Sequence, residues 1–251
     1  MKPPEPCVTV DVEDFADGMR ALGCIVAPSS RAEPGLRTLV QTLERRTAHV
    51  TLFVVGRQAA SAGHSLRMLA DAGHEIASHG PDHGSVPSEH HTLIDWLVRG
   101  REMVEDAIGR PVRGFRSPRF DVPAVLGLRT FRDAIAAAGF AYVSDTSLLG
   151  PDSPIVEFPV GSRWGIRLGA GSYQRLFPRR LVPTLIRPLP PPAVLAYHSY
   201  DFGRELPPLR SARSALVVSQ VLGRSRVAPI FDMLIDQFGS RTCSEALSAL
   251  R

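Results

Sequence analysis

The sequence predicts an α/β fold with a mainly parallel sheet, either open or closed into a barrel, and three observations carry that expectation. Short apolar, β-branched runs alternate with helical patterns over most of the first 145 residues, as in successive βαβ units. Glycines punctuate the helical patterns at their ends. Acidic, histidine and arginine residues collect just beyond the C-terminal ends of the strand-like runs, where parallel α/β folds place their active sites.

Taken in order, Cys7 to Val10 lies between prolines and acids and reads as a buried strand, with Asp11-Val12-Glu13-Asp14 at its C-terminal end. Leu36, Leu39, Val40 and Leu43 recur at helical spacing, and His49 to Gly56 is a second apolar strand. Residues 57–72 predict a helix with Leu66, Leu69 and Ala70 on one side, stopped by Gly73 before a short strand at 75–77. A polar loop spans 78–90. Leu93, Leu97, Met103, Val104 and Ile108 predict a helix ending at Gly109, and 112–115 a strand leading into Arg116-Ser117-Pro118. A further helix over 124–138 ends at Gly139 before a strand at 141–143. Prolines from 178 to 192 break any long helix, and 193–197 form a late strand ending at His198. There is no internal repeat, low-complexity tract or linker. The expected arrangement is a single domain, with residues 1–202 as its body and 203–251 as a C-terminal helical extension. Val227, Ile230, Phe231, Leu234 and Ile235 lie in that extension at helical spacing.

At 44% hydrophobic and 22% charged residues, the chain has the composition of a folded domain and not of a disordered one. The net charge of +4 comes from 29 basic residues, all arginine except Lys2 and spread from Arg20 to Arg251. Without a basic block interleaved with aromatics, no nucleic-acid partner is expected, although a mildly positive surface favours anionic substrates or anionic membrane surfaces. Three cysteines, Cys7, Cys24 and Cys243, lie far apart with no C-x-x-C, which argues against a disulfide framework or a thiolate zinc site. The N-terminus runs directly into a strand with no apolar leader, and no stretch of about 18 apolar residues occurs, so no transmembrane segment and a cytoplasmic location are expected.

His79-Gly80-Pro81-Asp82-His83 sets two imidazoles four residues apart in a turn. Two histidines and one carboxylate leave open positions on a divalent metal for water and substrate, the layout of a catalytic site. Two exposed loop histidines are the plain alternative, made less attractive by the acidic cluster at a neighbouring strand end. Of Asp11, Glu13 and Asp14, one acid can ligate the metal and a second can act as general base. Arg116 could clamp a carboxylate and hold it ionised, or be a surface ion-pair partner. His198 could donate a proton to a leaving group, or be a hydrogen-bonded core histidine; Asp145 could orient it, or merely start the turn at 144–147.

In order along the chain, Thr9-Val10-Asp11-Val12-Glu13-Asp14-Phe15, Thr51 to Gly56, Ala72 to His83 and Arg113-Gly114-Phe115-Arg116-Ser117-Pro118 resemble the NodB-like polysaccharide deacetylases, a carbohydrate esterase family. Asp-Val-Glu-Asp in the first motif, with Gly169 to Tyr173 and Tyr197-His198, resembles the cytosolic branch associated with exopolysaccharide gene clusters. The resemblance covers about residues 7 to 202. It implies a distorted (β/α) barrel and metal-dependent removal of the N-acetyl group of an amino sugar, in a glycan, a glycolipid or a glycosylated natural product. By motif position, Asp14, His79 and His83 would hold one divalent metal, zinc first and cobalt or nickel as alternatives, with Glu13 close behind Asp14 as the carboxylate. Asp11 would be the base, Arg116 its holder, His198 the general acid and Asp145 a partner for His198.

The chain departs from the family where Ser199-Tyr200-Asp201 follows the histidine, since close relatives usually carry a proline and a tryptophan there. The stretch from Gly150 to Gly171 is also short, and both features, with the expected cytoplasmic location, point to a small lipid-linked or nucleotide-linked glycan, or a glycosylated natural product, over an extracellular polymer. The motifs fix the chemistry better than the acyl group, so a deformylase or cyclic imide hydrolase is a rival, as is a catalytically silent carbohydrate-binding protein.

Overall fold

The computed structural model describes residues 5–21, 23–26, 33–203, 209–210, 218 and 221–250. Its organising element is β1 (Cys7–Val12), every residue of which is buried. Because side chains alternate along a strand, Val8, Val10 and Val12 enter one hydrophobic cluster while Cys7 enters another. The first cluster lies between sheet and helices and includes Leu36 and Leu39 of α2 (Glu33–Leu43) and Leu66 of α3 (Gly56–Asp71). The second fills the inside of the sheet with Phe53, Ala77, Tyr142 and Phe158, the last two rings meeting edge to face at 5.3 Å.

Seven parallel strands form the sheet. Besides β1 they are β3 (Thr51–Val54), β4 (Glu75–Ser78), β5 (Gly114–Phe115), β6 (Tyr142–Asp145), β7 (Val156–Pro159) and β8 (Val194–His198), in the order β7-β6-β5-β4-β3-β1-β8. A short strand, β2 (Ile25–Val26), pairs antiparallel with Leu209–Arg210 outside this sheet. The two edges, β7 and β8, are joined by the chain between them. Gly161 N–H donates to Val194 O (3.0 Å), and Ala196 N–H donates to Gly169 O (2.9 Å). The result is a nearly closed (β/α) barrel, the distorted barrel expected from sequence.

Helices α3, α4 (His90–Ile108) and α5 (Gly127–Ala137) fall where the periodicity predicts them. Gly109, left-handed at φ 70°, ends α4. Among the differences, β5 shrinks to two residues, α5 begins at Gly127 because residues 123–126 form a turn closed by Leu126 N–H to Pro123 O, and α1 (Phe15–Ala21) and β7 have no counterpart in the sequence pattern. The helix Val227–Phe238 packs Phe231 against Tyr197 of β8 (5.2 Å between centroids) and Phe202 (4.9 Å). The helix Cys243–Ser248 sits under the N-terminal end of the barrel, where Ser244 N–H donates to Glu75 Oε2 (2.9 Å) and Cys243 joins the interior cluster.

Candidate metal centre and active site

The parallel strands deliver their C-terminal ends to one end of the barrel, and the chemistry gathers there. The β1–β8 register sets Asp11 beside His198, and the β1–β3 register sets it beside Phe53. Thr9, Asp11 and Glu13 share one side of the extended chain, two residues apart. Arg116, at the end of β5 and fully buried, reaches this side. Its Nη1 donates to Asp11 Oδ1 (2.7 Å), and its Nη2 donates to Thr9 Oγ1 (2.8 Å) and Ser144 Oγ (2.7 Å). The guanidinium lies 4.1 Å from the Phe53 ring centroid. Burial alone would raise the Asp11 carboxyl, but the charges of Arg116 and His198 and the hydrogen bond from Arg116 hold it below the ordinary aspartate range.

Glu13 is buried between the two loop histidines. Its Oε2 lies 2.5 Å from His83 Nε2 and 3.8 Å from His79 Nε2. His79 Nδ1 meets the backbone carbonyl of Arg116 at 2.9 Å, which makes Nδ1 the protonated nitrogen and turns the lone pair of Nε2 toward Glu13. Burial lowers the His79 imidazole from its ordinary value, so the ring is neutral and a ready donor. Burial opposes the ionised form of Glu13, yet the contact with His83 and the charge of His198 hold its carboxyl below the usual range.

The residues fit a divalent metal. One ligand atom each from Glu13, His79 and His83 lies within 4.8 Å of the others, and Glu13 Oε2 is buried with no hydrogen bond of its own. One carboxylate oxygen and two imidazole nitrogens are the donor set of catalytic zinc sites that keep a position open. The expected carboxylate, Asp14, is not in this group. It sits on the opposite side of the chain from Glu13, with its Oδ2 accepting from Gln58 Nε2 of α3 (2.7 Å).

His198, at the end of β8, points Nε2 toward Glu13 Oε1 (3.9 Å) and stacks on Tyr200 with centroids 4.8 Å apart. Its expected partner was Asp145. The structure gives that role to Asp201, whose Oδ2 lies 3.3 Å from His198 Nδ1. Asp145 is instead 3.2 Å from Arg132 Nη1 and accepts the Thr146 and Ser147 amides, so it builds the turn after β6. Burial would lower the His198 imidazole, but the hydrogen bond to Asp201 and the charges of Glu13 and Asp11 push its pKa up to about 9. Arg175 and Arg224 approach the other oxygen of Asp201 at 3.8 and 3.7 Å. The His-x-x-Asp spacing was the signal for Asp201, because a 3₁₀ turn at 199–202 sets residues three apart over one another.

Asp11, Glu13, His79, His83, His198 and Tyr200 line one cavity of about 520 Å³, walled also by Met19, Phe120, Tyr173 and Leu176. That volume lies within the roughly 300–1,000 Å³ of small-molecule sites. Arg119 and Phe120 at its edge are left-handed, with φ 56° and 57°. The Phe120 amide donates to Ser117 O (3.0 Å).

A family model described as polysaccharide deacetylase matches residues 27–143. A peptidoglycan deacetylase from Helicobacter pylori is 24% identical over 162 residues, covering 62% of this chain and 53% of that protein. The chain therefore spans only about half the length of that curated relative. A crystal structure titled putative polysaccharide deacetylase from Mycobacterium smegmatis aligns with TM-score 0.55 and 22% identity over 92% of this chain and 87% of that one. A pseudoenzyme of carbohydrate esterase family 4 from Bacillus anthracis aligns with TM-score 0.53 and 14% identity, over 97% of this chain and 65% of that one. The solved structures establish the fold, and the family model and the curated relative both mark a likeness to polysaccharide deacetylases.

Proposed function

We propose that this chain is a metal-dependent deacetylase that hydrolyses the N-acetyl group of an amino sugar to acetate and a free amine. The observation that carries the reading is the grouping of Glu13, His79 and His83 beside the Arg116-held Asp11 and the Asp201-backed His198 in one cavity. Glu13, His79 and His83 would hold a divalent ion, zinc first with cobalt or nickel as alternatives, which when bound would supply Lewis acidity toward the acetyl carbonyl.

The chain's own groups do the rest. Asp11, kept anionic by Arg116, takes a proton from the attacking water. The Arg119 amide donates to the carbonyl oxygen as it gains charge. His198 Nε2, with Nδ1 held by Asp201, gives a proton to the departing amine nitrogen, so the C–N bond breaks with water's oxygen retained in acetate. Tyr200, stacked on His198, stands where close family members usually carry proline or tryptophan and walls the cavity beside the proton donor.

The test is metal analysis of the parent and a His79→Ala, His83→Ala double variant, alongside release of acid from N-acetyl, N-formyl and cyclic imide substrates. One equivalent of metal and acetate release in the parent alone support the reading. Formate release or imide opening without acetate moves the assignment to another C–N hydrolase. Metal-free protein that binds sugars without turnover makes it a binding protein.

A further inference from the structure

Between Glu157 and Asp201 the sequence holds six arginines and not one acidic residue, although 25 of the 251 residues are acidic. The whole chain is net +4, so everything outside this stretch is net −2 and the basicity belongs to one segment. These arginines are not all on one face: Arg179 lines a groove with Asp232 and Asp236, and Arg187 lies beside Pro6 and Ala193 at the other end of the barrel, which leaves Arg163 and Arg167 near the cavity. Arg175 faces Asp201, but Arg163, Arg167, Arg179, Arg180 and Arg187 form no ion pair among the described residues.

The same segment displays large apolar side chains beside the cavity. Arg163 and Ile166 exchange both backbone hydrogen bonds (2.9 Å each), closing a tight turn whose tip is Trp164-Gly165. Both tip residues are left-handed, at φ 55° and 75°. A tryptophan there is poorly suited to the backbone and is 72% exposed, its ring touched by the Arg163 guanidinium at 4.3 Å. The turn is tied to the mouth of the cavity, since the Arg167 guanidinium lies 5.7 Å from the ring of Phe120, which lines it. Exposed Ile166 continues the turn, and exposed Tyr173, Leu176 and Leu222 form part of the cavity wall.

We propose that this basic and apolar rim docks on an anionic lipid bilayer, with Trp164 entering the interface and Arg163 and Arg167 facing lipid phosphates. The cavity then opens toward an amphiphilic substrate held in the membrane, a clause that rests on the deacetylase reading while the docking itself does not. Charge complementarity favours this occupant, because Arg163 and Arg167, neither in an ion pair among the described residues, flank an exposed indole, and that combination is what an anionic interface attracts. Single-stranded nucleic acid would instead use successive stacking aromatics, whereas Ile166, Leu176 and Leu222 are aliphatic.

The experiment is co-sedimentation of the full chain with vesicles of phosphatidylcholine alone and of phosphatidylcholine with phosphatidylglycerol, at low and high salt. Tryptophan fluorescence is read in parallel. Of the two tryptophans, Trp96 packs on Phe115, so a blue shift on vesicle addition reports Trp164. Binding to the anionic vesicles alone is expected, weakened by salt. It should fall about tenfold or more in a Trp164→Asn, Arg163→Gln, Arg167→Gln variant with an unchanged melting temperature, since each arginine near such a surface is worth about fivefold. Asparagine tolerates the left-handed backbone, which protects the fold. Equal binding to both vesicle types, no binding, or an unaffected variant with no blue shift would overturn the docking, as would tighter binding to single-stranded RNA than to vesicles. Acetate release from a soluble N-acetylglucosaminide, measured on the same proteins, is expected to survive in the variant. Its absence from the parent sinks the catalytic clause and leaves the vesicle result standing.

Discussion

Arg116 holds its charge in full burial because Asp11, Thr9 and Ser144 all accept from it. Arg116→Met strands the Asp11 carboxylate and is expected to cost about 3–5 kcal/mol in urea unfolding, more than the removal of any surface ion pair in the chain. A loss below about 1 kcal/mol would show that water enters the site freely. Asp201→Asn should lower acetate release while metal content stays at one equivalent, because it loosens a proton donor and touches no proposed ligand. Asp145→Asn should instead act through the turn it builds with Arg132, lowering stability with little change in turnover of the folded fraction. The identity of the metal-facing carboxylate was legible in principle: valines at 8, 10 and 12 mark one side of β1, so 9, 11 and 13 share the other, and strand parity selects Glu13 over Asp14. Motif likeness alone does not, since it counts acids without regard to side. Asp201 was obscured in the same way, because its tie to His198 depends on a 3₁₀ turn that a reading of strands passes over.

At the scale of elements, helix α2 sets the turn that carries Asp201. A Cβ on Gly35 would lie 2.1 Å from Ser199 O, so Gly35→Ala must push the helix and the 199–202 turn apart. Overpacking of this kind costs about 1–3 kcal/mol. The expected outcome is a fall in acetate release with metal retained, checked by kinetics and metal analysis on the folded variant. Full activity would mean that the turn does not position His198. Strand and helix order was legible from alternation and glycine stops. The exceptions are the helix at 15–21 and the edge strand β7, which have no counterpart in the sequence pattern, and two shortened elements: β5 is cut short as the chain turns Arg116 into the interior, and the turn at 123–126 delays α5. The helix at 227–238 was legible from its periodicity, but its contact with Tyr197 and Phe202 was not, because long-range packing leaves no mark on spacing.

At the scale of the whole molecule, barrel closure depends on hydrogen bonds of Gly161 and Gly169 with β8, and the 161–169 segment has no strand-like pattern of its own. This is why sequence left open sheet and barrel as alternatives until the family resemblance entered. Global stability should also carry a pH signature from His74, which lies far from the metal-facing groups. It is buried, its Nδ1 accepts the Val50 amide (3.2 Å), and burial together with nearby His49 lowers its pKa to about 4. The unfolded chain binds this proton near pH 6.5, so stability is full above about 6.5 and is lost as pH falls toward 4. A parent that melts progressively lower over that window, beside a His74→Gln variant with a shallower slope, would match this account; parallel slopes would remove His74 as the cause.

The central claim is that Glu13, His79 and His83 form the metal centre of a deacetylase, and acetate release at saturating zinc by the parent, Glu13→Gln and Asp14→Asn tests it most directly. The account predicts release by the parent and Asp14→Asn and at least a hundredfold loss, about 2.7 kcal/mol in the barrier, in Glu13→Gln. Turnover that survives in Glu13→Gln and vanishes in Asp14→Asn would contradict it.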